Sequence, residues 1–276
     1  MKEYLISSKS FVKKFQQNKQ RVENKVDDYM VNPTKRNIHD IRTSIRRLDA
    51  SFNLLPKKIR NSYSIRNYHA QYRQLFKINS AIRDYDIIYG RLMRYSSEHI
   101  HNNIGYFQRL KNMRDKKYID ARKIASSLSD NLLPQITEND IPDKKLQRRY
   151  NKVVNKLIDR IEQLLPIVVT NSKKEGELHE LRKDTKKLRY LLEMIPIKND
   201  RNLSNILDYL KEMQDILGAI RDIDITIEYL KRRTIRSIKD KNYYTSIINT
   251  EEKERQELYD KFVVDRNTKQ DKYLHL

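Results

Sequence analysis

The sequence contains no cysteine and has little glycine or proline. Its 276 residues include 4 glycines and 6 prolines, well below the average usage of about 7% and 5%. Without cysteine, the chain can form no disulfide, thiolate nucleophile or cysteine-ligated zinc site. Strands joined by tight turns need far more glycine and proline, so we expect an all-α fold.

The sequence also lacks any long apolar segment. It has no run of about 18 apolar residues, the length that crosses a bilayer. Its first residues, MKEYLISSKSFVKKF, lack the apolar stretch of a signal peptide. We therefore expect a cytoplasmic protein that does not enter membranes.

Acidic residues are too few to balance the basic ones. Lysine and arginine number 58 against 37 aspartates and glutamates, which gives a net charge of +21. An excess of this size destabilises the compact state by self-repulsion, so we expect a polyanionic partner. Nucleic acid, polyphosphate and an acidic membrane surface all fit the charge. The alternative is a basic soluble protein without such a partner.

Two sequence motifs occur twice, in the same order. The stretch IHDIRTSIRRLDASFNLLP at 38–56 matches LHELRKDTKKLRYLLEMIP at 178–196, which lies 140 residues later. The stretch AIRDYDII at 81–88 matches AIRDIDIT at 219–226, with six of eight positions identical. Two motifs at nearly equal spacing indicate a tandem duplication.

Helix signals divide the chain into two similar halves. Long amphipathic segments with short connections predict two antiparallel four-helix bundles, at 1–135 and 140–268, followed by a disordered tail at 269–276. The segment 131–145 holds two prolines and several turn formers, and we interpret it as the linker. The predicted helices span 5–30, 35–54, 62–95, 98–130, 144–170, 177–195, 201–237 and 242–264.

The first motif places its charges on one helix face. On a helical wheel, His39, Arg42 and Arg46 share a stripe beside the apolar stripe, and Arg47 flanks it. Like charges at this spacing destabilise a helix unless acids are interleaved, and the stripe contains none, so it is typical of an anion-binding face. A solvated basic face is the alternative. The second copy has the same stripe, formed by His179, Arg182, Lys186 and Arg189, with Lys187 in the flanking position.

The second motif contains one arginine and two aspartates. Asp84 and Asp86 lie two positions apart on a predicted helix, so they point to different faces and would not chelate one ion. We expect one aspartate to orient a neighbouring arginine or the histidine, while Arg83 joins the basic surface. The second copy consists of Arg221, Asp222 and Asp224. We predict no metal site and no cofactor.

The duplicated motifs resemble the CHAD family, named for its histidine-bearing α-helical domain. The resemblance covers roughly residues 5–265 and rests on HDIRTSIRRL and HELRKDTKKLR, each followed by AIRDxDI. It implies two bundles related by a pseudo-two-fold axis, whose basic faces line a central cavity. It also implies binding of inorganic polyphosphate and location at polyphosphate granules. The acidic ExExK strand motif of the triphosphatase domain that some relatives carry is absent, so we expect the stand-alone type.

On this interpretation the chain is a binding protein and not an enzyme. The side chains expected to contact polyphosphate, or smaller anions such as phosphate and sulfate, are His39, Arg42, Arg46, Arg47, Arg83, His179, Arg182, Lys186, Lys187, Arg189, Arg221, Lys13 and Lys152. Three alternatives stay open at this point. They are a nucleic-acid-binding protein, a polyphosphate-processing enzyme that uses Mg²⁺ held by the repeated aspartates, and a helical scaffold for acidic proteins.

Overall fold

The computed structural model is helical and describes residues 4–98, 100–129, 133–196, 200–234 and 241–273. No strand occurs in these ranges, so the all-α prediction is confirmed. Two short 3₁₀ turns lie at Met93–Glu98 and Glu138–Asp140. The helices are α1 (Ser8–Val31), α2 (Lys35–Leu54), α3 (Lys57–Arg60), α4 (Tyr63–Leu92), α5 (Ile100–Ser129), α6 (Asp143–Thr170), α7 (Glu175–Leu192), α8 (Arg201–Thr234) and α9 (Lys241–Tyr273).

The first two helices begin at side-chain caps. The hydroxyl of Ser7 accepts a hydrogen bond from the backbone N–H of Ser10, and the hydroxyl of Thr34 accepts one from Asn37. Serine and threonine suit these positions because they pair an amide that the helix leaves without a partner. The cap at Thr34 fixes where α2 begins, and α2 carries the first basic stripe.

The last helix is longer than the sequence predicted. We expected it to end at 264 and to be followed by a disordered tail, but α9 continues to Tyr273. The segment from 242 onward contains neither glycine nor proline, so nothing in it interrupts the helical backbone. Polarity alone was therefore the wrong criterion for the end of this helix. Residues 274–276 lie outside the described ranges.

Both halves contribute to one hydrophobic core. The apolar stripes predicted for the two motif helices are buried: Ile38 and Ile41 on α2, and Leu178 and Leu181 on α7, are each at most 3% exposed. All four belong to a single buried cluster that also includes side chains of α1, α4, α5, α6, α8 and α9. The division into two bundles at 1–135 and 140–268 stays a prediction. No helix in the described ranges is long and apolar enough to cross a membrane.

Four helices contact one another in a closed ring. α2 contacts α4, α4 contacts α8, α8 contacts α7, and α7 contacts α2. Two of these helices come from each half, α2 and α7 carrying the histidine–arginine motif and α4 and α8 carrying the RDxD motif. The fold therefore brings all four copies of the two motifs to one region.

The last aspartate of each RDxD motif is used to hold the following helix. Asp86 accepts a hydrogen bond from Arg114 Nε on α5 at 2.7 Å, and Asp224 accepts one from Arg255 Nε on α9 at 2.6 Å. Both carboxylates are buried. We expected the partner to be a neighbouring arginine or the histidine, but each aspartate pairs with an arginine on a helix that the sequence pattern did not indicate.

Candidate anion-binding site

Basic side chains from all four ring helices lie within electrostatic range of one another. Arg42 on α2 is affected by the charge of Arg182 on α7, and Lys186 on α7 is affected by both Arg42 and Arg46. The two stripes predicted from the sequence therefore face each other across the ring. We call the group the central basic cluster; its members are His39, Arg42, Arg46, Arg83, His179, Arg182, Lys186 and Arg221.

Burial makes the positive charges of this cluster costly. It lowers the pKa of Arg42 to about 10, and the neighbouring Arg46 lowers it further. Lys186 is affected most: burial is the main cause and the guanidinium groups of Arg182, Arg46 and Arg42 add to it, so that its pKa falls to about 6. At neutral pH and without a bound anion, the Lys186 amine is mostly neutral.

The two histidines are also held in the neutral form. Burial lowers the pKa of His179 and the guanidinium of Arg221 lowers it further, while burial is likewise the largest cause for His39. A neutral imidazole keeps one N–H donor, and a bound anion would favour a second proton. These histidines therefore suit hydrogen bonding to an anion.

Three polar atoms in the cluster are buried and unpaired. Arg42 Nε, Arg182 Nε and His179 Nδ1 have no hydrogen-bond partner among the described residues. A buried polar group without a partner costs about 1–3 kcal/mol, and Arg42 and Arg182 occupy equivalent positions in the two repeats. The matching unpaired Nε atoms of Arg42 and Arg182 are therefore free to donate to acceptor atoms from outside the protein.

An aromatic ring supports the arginines of the first half. The guanidinium carbons of Arg42 and Arg46 lie 5.6 and 5.1 Å from the centroid of Phe76 on α4. Arg46 also forms a hydrogen bond with Tyr190 on α7. Sequence reasoning missed Phe76, because position 214 in the second repeat holds glutamine and comparison of the repeats gives no signal there.

Two carboxylates lie in the same region. Asp222 forms an ion pair with Arg83 at 3.3 Å. Burial raises the pKa of Asp84, and the charge of Asp222 raises it further, whereas Arg42 and Arg221 lower it. Each half thus directs an aspartate towards an arginine of the other half. No group of three or more histidine, aspartate or glutamate side chains suited to a metal ion occurs in the part of the chain that the structure describes.

The structure leaves four of the predicted contact residues outside the cluster and places a fifth, Arg189, at its edge, where its charge helps to lower the pKa of Lys186. Arg47 and Arg189 both pair with Glu193, at 2.9 and 3.5 Å, and Lys187 pairs with Asp184 at 3.3 Å. These cations share their carboxylates, since Glu193 serves two arginines and Asp184 also pairs with Arg160, so the pairing reduces their positive charge without cancelling it. The remaining two, Lys13 and Lys152, are exposed on α1 and α6, which supply no side chain to the cluster.

Comparison with known proteins agrees with this architecture. The family model of the CHAD domain matches residues 10–231. The crystal structure of the CHAD domain from the plant Ricinus communis superposes with a TM-score of 0.67 at 12% identity, covering 97% of this chain and 92% of that chain. No curated protein matches the sequence. With a family match over most of its length, the chain belongs to the CHAD domain family.

Proposed function

We propose that the protein binds inorganic polyphosphate at the central basic cluster. The observation that carries the proposal is the convergence of basic side chains from both halves, with Arg42 Nε, Arg182 Nε and His179 Nδ1 buried and unpaired. CHAD domains are associated with binding of polyphosphate and triphosphate, and a chain of phosphates supplies acceptor oxygens at every unit.

Different side chains would contact the phosphates in different ways. Arginines such as Arg42 and Arg182 can donate two parallel hydrogen bonds to a phosphoryl group, whereas Lys186 acts as a point charge. His39 and His179 each donate one hydrogen bond. Each basic contact would release condensed counterions, as at nucleic acid backbones, so affinity should fall steeply as salt rises.

We propose a binding protein rather than an enzyme. A polyphosphate-processing enzyme that uses Mg²⁺ needs carboxylates to hold the metal beside the phosphates. Here Asp86, Asp224 and Asp222 are engaged by Arg114, Arg255 and Arg83. Asp84 is then the one RDxD aspartate without an ion pair in the described ranges, and a single carboxylate on its own is a poor Mg²⁺ site. Release of phosphate from polyphosphate in the presence of Mg²⁺ would overturn this part of the proposal.

The central experiment compares two pairs of arginines. Arg42→Gln with Arg182→Gln removes two charges from the cluster, and Arg21→Gln with Arg36→Gln removes two from exposed positions of α1 and α2. Hydrogen bonds to charged groups contribute about 1.5–3 kcal/mol each, so we expect the first variant to lose about a hundredfold or more in affinity for polyphosphate. The second should change little. Equal losses in the two variants would mean that binding depends on overall charge and not on the cluster.

Nucleic acid is the second candidate ligand, favoured by the net charge of +21. A competition titration with a labelled RNA distinguishes the two. Polyphosphate should displace RNA at much lower phosphate concentration than RNA displaces polyphosphate. Location at polyphosphate granules follows from the same proposal and can be followed with a fluorescent fusion of the chain and of the Arg42/Arg182 variant.

A further inference from the structure

A row of cations runs along the outer face of α4. Arg66, Arg73 and Lys77 are all exposed, and their spacing of 7 and 4 residues places them within about 40° of one another around the helix. None of them forms an ion pair within the described residues. We call these three residues the α4 track.

The helix face that carries the track continues to the central basic cluster. Asp84 lies 18 residues after Arg66, which is five full helical turns, so it lies on the same face of α4. Asp84 is also in the electrostatic environment of Arg42 and Arg221. At 1.5 Å per residue, the track spans about 17 Å and ends about 10 Å from the level of Asp84 along the axis.

The α4 segment that carries the track contains no acid of its own, and the carboxylate that reaches it from α2, Asp49, contacts His69 and Tyr72. Residues 57–83 include no aspartate or glutamate, and Lys57, Lys58 and Arg60 on α3 extend the basic character past the start of α4. Arg60 also helps to lower the pKa of Arg149 on α6, after burial as the main cause. Like charges without interleaved acids destabilise a helix surface, so the pattern is one that a bound polyanion would relieve.

The second half lacks such a track. The positions on α8 that correspond to Arg66, Arg73 and Lys77 are Ser204, Lys211 and Asp215. The acids Asp208 and Glu212 also interrupt that helix. The two halves supply similar side chains to the central cluster, but only the first half continues the positive charge outward.

We infer that a linear phosphate chain held in the central basic cluster leaves it along the α4 track, so that the protein selects long chains over short ones. This inference rests on the proposed function and adds the direction and the length of the ligand. The cluster alone can contact all the phosphates of a short anion such as tripolyphosphate. A long chain gains three further basic contacts, on one side of the molecule only.

The test uses two ligands and two charge-matched variants. The track variant is Arg66→Gln, Arg73→Gln and Lys77→Gln. The control is Lys116→Gln, Lys117→Gln and Lys123→Gln, which removes three exposed cations from α5. Glutamine keeps the helix propensity of both basic residues, so both variants should fold, which circular dichroism can verify.

For the track variant we expect unchanged affinity for tripolyphosphate and a loss of about tenfold or more for long-chain polyphosphate at low salt. The slope of log affinity against log salt for the long chain should also decrease by about two, given a release of about 0.7–0.9 counterion per contact. The control should keep the slope of the unmodified protein. The inference is wrong if the track variant retains that slope, if it loses affinity for both ligands equally, or if the α5 control loses as much as the track variant.

Failure of the proposed function has a different signature. If Arg42→Gln with Arg182→Gln leaves tripolyphosphate binding intact, the cluster is not the site, and the track inference falls with it. If that variant abolishes binding while the track variant behaves like the unmodified protein, the cluster stands and only the track is refuted.

Discussion

Arg83 of the first half forms an ion pair with Asp222 of the second half, at 3.3 Å between the guanidinium and the carboxylate. In the reverse direction, Arg221 lies in the electrostatic environment of Asp84. The RDxD motifs therefore meet across the ring of helices, and each arginine is balanced by a carboxylate from the other repeat. A bound phosphate chain must compete with these carboxylates for both arginines.

Removing one of these carboxylates should strengthen anion binding. Asp222→Asn removes a negative charge beside Arg83. It also lowers the pKa of Asp84, because the Asp222 carboxylate raises that pKa in the unmodified protein. A partly solvated charge interaction of about 1 kcal/mol predicts a gain of about fivefold in affinity for tripolyphosphate. Isothermal titration calorimetry at low salt can measure it. A loss of affinity would instead mean that Asp222 is needed to hold Arg83 in place.

Phe76 should act as a positioning residue for the first half of the site. It stacks on Arg42 and Arg46 without using any of their N–H donors. Two cation–π contacts of about 0.5–1 kcal/mol each predict that Phe76→Leu weakens polyphosphate binding by about tenfold. Phe76→Trp should retain binding, since tryptophan offers the better ring face.

The second repeat provides the control for this prediction. Gln214 occupies the position of Phe76 and donates a hydrogen bond to the Thr185 carbonyl, so Gln214→Leu should leave binding close to that of the unmodified protein. In an Arg42→Gln and Arg46→Gln background, Phe76→Leu should cause no further loss. A tenfold loss in that background would assign to Phe76 a role independent of the arginines.

Binding should take up a proton at Lys186. Its pKa is about 6 in the ligand-free protein, and a bound anion stabilises the charged amine and raises that value. The affinity for polyphosphate therefore rises as the pH falls from the pKa of Lys186 in the complex towards its pKa of about 6 in the free protein. Below that pH the contribution of Lys186 is constant. His39 and His179, whose pKa values are lowered, act in the same direction at lower pH.

The measurement is a series of titrations between about pH 6 and pH 9 in buffers with different ionisation enthalpies. Proton uptake appears as a dependence of the observed heat on the buffer. Lys186→Met should remove most of this dependence near neutral pH, whereas Lys187→Met should preserve it because Lys187 lies outside the cluster and pairs with Asp184. A buffer dependence that survives in Lys186→Met would assign the proton to another group.

Comparison of the repeats can indicate only residues that both halves share, and some of these, such as Lys13 and Lys152, lie outside the central basic cluster. The helical periodicity placed Arg42 on the basic face of α2 and Arg182 on the basic face of α7, because periodicity depends only on local helix geometry. It could not show that Arg47 forms an ion pair with Glu193, which lies 146 residues away in the chain. Phe76 and the α4 track were missed for a related reason. They belong to the first repeat alone, and a search for shared residues passes over them.

The buried ion pairs that anchor α5 and α9 should contribute unequally to stability. Arg255 and Asp224 are 11% and 6% exposed in their side chains, and Arg255 also donates to the Ser172 carbonyl, whereas Arg114 beside Asp86 is 23% exposed. Breaking a buried pair leaves an uncompensated charge and costs about 3–5 kcal/mol. We expect Asp224→Asn to lower the free energy of unfolding in urea by about this amount and Asp86→Asn by less, because water reaches Arg114 more readily.

Both variants, while folded, should keep the affinity for tripolyphosphate, since neither aspartate belongs to the central basic cluster. Equal destabilisation would show that exposure of the arginine does not control the strength of these pairs.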